Sequence, residues 1–166
     1  MSHSRAYEDF SPLWYGVLLF FAALMFFMSM GGGLFGLDSD HFYHKASLMV
    51  FDSLCHQQHD RSLSINAVAM AVCSRCFSIY GSFFTGLVIF PFLVTWGLTY
   101  QKKLAIHLII ASLILIVADF IGNLVGFWVN SHQSRIILGA LFGMSLAWLL
   151  AGEFKQKPNL DTHGTS

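Results

Sequence analysis

The chain has 166 residues, of which 55% are hydrophobic, 16% aromatic and 11% charged. Soluble domains carry about 25% charged residues, so an ordinary globular surface is excluded. Nine basic and nine acidic side chains leave no net charge, which removes the basic field that nucleic acid would need.

A short tail, residues 1–12, carries Arg5, Glu8 and Asp9. From Leu13 to Leu37 there are then 25 residues without a charge. A spanning helix needs about 20 mostly apolar residues, so a first span is expected over about 12–34, ending near Gly31, Gly32 and Gly33. It is too long for a signal peptide, and no clear small-residue cleavage site follows it. The loop 35–72 holds Asp38, Asp40, Lys45, Asp52, Asp60 and Arg61, with His41, His44, His56 and His59. Two apolar pieces inside it, 46–51 and 63–72, are too short to span and read as interfacial or re-entrant segments.

A second span is expected over about 73–98, where Phe77 to Tyr100 gives 24 uncharged residues. Lys102 and Lys103 turn the chain into a third span over about 104–129, whose one acid is Asp119. A fourth follows over about 135–153, and 154–166 is a polar tail that reads as disordered. The apolar runs are solid rather than alternating, which excludes a β-barrel. The expected fold is therefore all-α: one polytopic membrane domain, 13–153, a four-transmembrane-helix bundle with a Cys/His loop between its first and second helices.

Basic residues favour the cytoplasmic side. Arg5, Lys102, Lys103, Lys155 and Lys157 fall on one side; Lys45, Arg61, Arg75 and Arg135 fall on the other. Three of the second group lie in motif-like settings. The bias therefore predicts cytoplasmic termini and an outer Cys/His loop, in a plasma (bacterial inner) membrane. Trp14, Tyr15, Trp96, Tyr100 and Trp128 sit near predicted span ends, as interfacial aromatic belts do.

Chemistry concentrates in Cys55-His56-Gln57-Gln58-His59-Asp60-Arg61-Ser62 and Cys73-Ser74-Arg75-Cys76. All three cysteines fall within 22 residues, two of them as C-x-x-C. Cys and His at such spacing are what tetrahedral zinc asks for. Cys73 and Cys76 would share a face of a starting helix, with Cys55 and His56 or His59 completing four ligands. Redox chemistry is the competing reading: a C-x-x-C at a helix N-terminus favours the thiolate, and Arg75 pushes the same way. The simplest alternative is that the cysteines are small buried hydrophobes.

These residues resemble the membrane-protein family called Domain of Unknown Function 2085. Its pattern is C-H-Q, an Arg-Ser pair, then C-x-R-C with I-Y-x-G, matched by Cys55, His56, Gln57, Arg61, Ser62, Cys73, Arg75, Cys76, Ile79 and Tyr80. The final glycine comes one residue early, at Gly81. Asp119, Arg135, Gly139 and Gly143 resemble a later block. Departures are His59 in place of proline, Ser78 in place of glycine and Leu138 in place of threonine. The resemblance ranks His56 above His59 as a ligand, and implies no activity.

Asp119 cannot sit ionised and alone in lipid, where its insertion costs about 2.5–3.5 kcal/mol. Arg135, starting the next helix, is its expected partner, with Asn123 between them; a structural clamp is the plainer alternative. Arg61, Ser62, Arg75, Asp119 and Arg135 form the candidate catalytic or binding set, since clustered arginines suit a phosphate or carboxylate. The expected partners are the lipid bilayer and a lipid or anionic small molecule, and a homo-oligomer stays open. The leading reading is a zinc site beside that polar pocket. The alternatives are a quinone-coupled thiol oxidoreductase using Cys73 and Cys76, and a non-enzymatic accessory protein. The layout is similar to the bacterial disulfide-generating membrane oxidases, but their second cysteine pair has no counterpart in 129–135.

Overall fold

The computed structural model describes residues 12–39, 41–55, 61–96, 101–127, 129 and 131–154. Its long helices are α1 (Pro12–Ser29), α3 (Ser74–Thr95), α4 (Lys102–Leu124) and α5 (His132–Glu153). At 1.5 Å per residue they are about 27–35 Å long, the thickness of a bilayer's hydrocarbon core. All four are apolar enough to cross it. Between α1 and α3 lie a 3-10 turn (Gly32–Phe35), the ten-residue helix α2 (Phe42–Phe51), and a hairpin of β1 (Ser64–Ile65) and β2 (Val68–Ala69).

The first span ends earlier than its apolar run suggests. Gly31 takes φ +66°, a left-handed conformation that stops a helix and suits glycine. The piece 63–72 is largely the hairpin, followed by the buried Met70, Ala71 and Val72. Ser64 pairs with Ala69 and Ile65 with Val68, across a turn in which Asn66 and Ala67 have φ +52° and +64°, the sign a two-residue type I′ turn needs at both positions. Asn66 Nδ2 donates to Gly33 O at 2.9 Å, pinning the hairpin to the 3-10 turn.

Two parallel helices form the centre. Ser78 Oγ and Arg75 O lie where a Cβ on Gly139 would be, the latter 2.6 Å away; Ser82 Oγ and Ile79 O crowd Gly143, and Ala147 Cβ lies 2.7 Å from that position on Gly86. Contact partners thus advance together along α3 and α5, so the helices run the same way at close approach. Small residues allow that approach, and dispersion and packing favour it in lipid. α1 packs antiparallel on the other face of α3, with Phe26 stacked against Phe77 and Phe84 at centroid distances of 5.7 Å.

α4 packs on α5 through a narrow line of Ala105, Ser112, Asp119 and Gly122. Its large apolar side chains face outward, as lipid-facing residues do. At the end away from the cysteines, Lys102 Nζ meets Glu153 Oε1 at 2.6 Å. That pair is half-exposed, so its worth is about 0.2–1 kcal/mol.

Pro91 lies inside α3 and cannot donate to the carbonyl four residues earlier. That carbonyl belongs to Leu87, and Tyr15 Oη donates to it at 2.5 Å. Tyr15 is buried, so it is an interhelical clamp and not part of an interfacial belt. Trp14 and Trp96 are exposed as belt residues would be; Tyr100 and Trp128 lie outside the described residues.

Gly143→Val places side-chain atoms against backbone on α3 and should destabilise the protein by about 1–3 kcal/mol. Gly16→Ala, with nothing within 4 Å of the new Cβ, should leave it unchanged or slightly stabilised. Thermal unfolding in detergent micelles compares the two; equal shifts would show that the glycine contact does not carry the helix pair.

Candidate metal centre

Cys73 caps the N-terminus of α3, and Cys76 follows one turn later. Cys55 arrives from the far side of the loop, just after α2, its N–H donating to Phe51 O at 2.9 Å. Phe51, Ala71 and Val72 are fully buried and form a cluster against which Cys55, Cys76, Phe77 and Tyr80 pack, so the core of the loop brings the sulfurs together. The three are free thiols, and their Sγ atoms all lie within 4.8 Å of one another. Tetrahedral zinc with Zn–S of about 2.3 Å sets sulfurs about 3.8 Å apart, so a small inward movement suffices.

The Cys73 N–H donates to Cys55 Sγ at 3.3 Å, tying the start of α3 to the cysteine that follows α2. Cys73 is held down to about pKa 5, chiefly by a hydrogen bond from the Cys76 side chain and against the opposing effect of burial. An anionic sulfur also suits the positive end of a helix. The stability that this thiolate contributes is therefore full above the ordinary thiol pKa, falls as the pH drops below it, and is gone by about pH 5.

His56 and the alternative ligand His59 lie outside the described residues. The other loop histidines are placed as structural groups. His41 Nδ1 accepts from Tyr43 N at 3.2 Å as the cap of α2. His44 is buried, and its Nδ1 accepts from Gly32 N at 3.1 Å. His132 Nδ1 lies 3.4 Å from Ser74 Oγ. That contact ties the start of α5 to the residue between Cys73 and Arg75, and no motif around His132 announces it.

Asp119 pairs with Arg75, not with Arg135: Arg75 Nη2 meets Asp119 Oδ2 at 2.5 Å. The reach of the Arg75 side chain is the reason. α3 and α5 run parallel with their first turns side by side, so the guanidinium between the two thiols reaches α4 across that end. The side chains are 20% and 10% exposed, and Arg75 Nε is buried without a partner. Arg135 starts α5 between His132, which meets Ser74, and Gly139, which meets Arg75 O. It lies in electrostatic range of Arg61, Arg75, Cys73 and Asp119. Ser62 is buried beside Arg61 in the chain. Arg75, Arg135 and Asp119 are thus brought to the cysteine end, with Arg61 in range.

Residues 55–149, more than half the chain, match the model of a family described as "Predicted membrane protein (DUF2085)". The chain belongs to that family. An uncharacterised protein of Methanocaldococcus jannaschii is 33% identical over 101 residues, 61% of this chain and 64% of the relative. The match thus spans a little under two thirds of that relative's length. No solved structure matches. The matched stretch opens on Cys55 and includes Cys73, Cys76, Arg75, Asp119 and Arg135.

Two outcomes test this geometry. Asp119→Asn leaves a partly buried guanidinium without its counter-charge and should cost about 3–5 kcal/mol. Adding Arg75→Gln should recover part of that loss, and a double-mutant cycle by thermal unfolding reads the coupling; additive losses would dissolve the pair. Alkylation of Cys73 in metal-free protein, followed by peptide mass spectrometry from pH 9 to pH 4, should stay level and halve near pH 5. A midpoint near that of a free thiol would remove the thiolate.

Proposed function

We propose that this membrane protein holds a zinc ion between Cys55, Cys73, Cys76 and His56 at the loop end of its bundle. The observation that carries the reading is the convergence of three sulfurs from opposite flanks of the loop within 4.8 Å. Three thiolates and one imidazole complete a tetrahedral shell, the form of a structural zinc site. Its role would be to fix the loop against α1 and α3.

Arg61, Ser62, Arg75, Asp119 and Arg135 are proposed as the wall of an adjoining polar pocket for an anion, a lipid phosphate first. The proximity of the guanidiniums to one another and the partnerless Arg75 Nε support this, since planar guanidinium donors suit phosphate and carboxylate. The lysine and arginine distribution supports a plasma-membrane orientation with cytoplasmic termini and the cysteine end outside. The low pKa of Cys73 favours a second reading, quinone-coupled thiol–disulfide exchange at Cys73 and Cys76.

Metal analysis of purified protein separates the two. The zinc reading expects about one zinc per chain, lost on Cys55→Ser, Cys73→Ser or Cys76→Ser and weakened on His56→Ala. Zinc-free protein whose Cys73 and Cys76 are trapped as a disulfide in cells would overturn it in favour of redox cycling.

A further inference from the structure

α2 buries His44, Ser47 and Phe51 on its inner side and turns Phe42 and Met49 outward, 83% and 78% exposed. Those two residues are seven apart and share one face of the helix. Lys45 is exposed between them, and the exposed Val50 and Leu54 extend the apolar area. The stripe continues towards α1: the Tyr43 and Phe35 rings meet edge to face at 5.5 Å, and Phe35 is exposed as well.

The contacts of α2 fix its depth. Tyr43 Oη donates to Phe27 O at 3.1 Å, two residues before α1 ends. The buried cluster of Phe51, Ala71 and Val72 packs against Met25 and Met28 of α1 and against Phe77 and Tyr80 of α3, and the Phe51 ring lies 5.4 Å from that of Tyr80. Tyr80 is six residues beyond the first residue of α3, which at 1.5 Å per residue is about 9 Å into the span. α2 therefore lies beside the outermost turns of two spanning helices, not above them. Amphipathic helices in a membrane interface bury their apolar face to about 5–10 Å, the same depth.

We propose that α2 is an in-plane interfacial helix and that its partner is the bilayer itself. Phe42 and Met49 are seated in the outer acyl layer, and the Lys45 stem runs along that layer with its ammonium among the phosphates. Continuity with the lipid-facing surface of α1 favours lipid over a second copy of the chain. Because Cys55 follows directly from α2, the lipid then holds one flank of the cysteine centre.

The test uses full-length protein in phosphatidylcholine vesicles doped with lipids brominated near the headgroup or deep in the acyl chain. Met49→Trp and Phe42→Trp are made separately, and the emission of the four native tryptophans, measured on the parent protein, is subtracted. The added emission should be quenched at least about twofold more by shallow bromines than by deep ones, at every protein-to-lipid ratio. Quenching by aqueous iodide and not by bromolipid would overturn the proposal. So would bromolipid quenching that weakens as protein is concentrated in the membrane, which would mark the stripe as a contact between copies.

Discussion

Everything at the cysteine end depends on how closely α3 and α5 approach. Gly139 and Gly143 remove side chains where the backbone and serines of α3 must pass, and the two helices settle side by side in the same direction. Parallel neighbours put two helix N-termini at one end of the bundle. Those termini carry partial positive charge, and Arg75 and Arg135 add full charges next to them. The thiolate at Cys73 and the carboxylate of Asp119 are the described groups that offset this field. The cysteine cluster and the arginine–aspartate group are therefore halves of one electrostatic arrangement.

The same arrangement explains why the interior tolerates an acid. A lone carboxylate in hydrocarbon is costly, and Asp119 sits one turn from the end of α4, where an arginine on α3 can reach it. Arg75 lies between two cysteines of a single helical turn, so any ligand those cysteines share also fixes the origin of the guanidinium. Structure and candidate chemistry meet in that one residue.

The four spans are legible because uninterrupted apolar runs of this length have few other uses. α1 stops at Ser29, short of its apolar run, because an apolar run does not record a left-handed glycine. α2 and the hairpin are expected only as interfacial or re-entrant pieces, because elements of ten residues or fewer carry too little periodicity to assign as helix or strand. The cysteine trio was legible as a motif, since residues of one rare type crowded into one loop are informative by themselves. The partner of Asp119 was not, because chain order points to α5, the helix that also packs beside α4, whereas Arg75 reaches the carboxylate from α3 by the length of its side chain. Pro91 was a signal left unread: a proline well inside a span announces a carbonyl that some other group must satisfy.

That carbonyl has a consequence for α1. The helix is built largely of leucine, phenylalanine, alanine and methionine, side chains that grip α3 without preferring one height over another. A slide by one turn would exchange apolar contacts for similar ones and cost little. At Leu87 the sliding surface carries a notch, where the phenol of Tyr15 fits the acceptor that Pro91 leaves open. A hydroxyl thus helps to set a vertical position that greasy packing alone holds loosely.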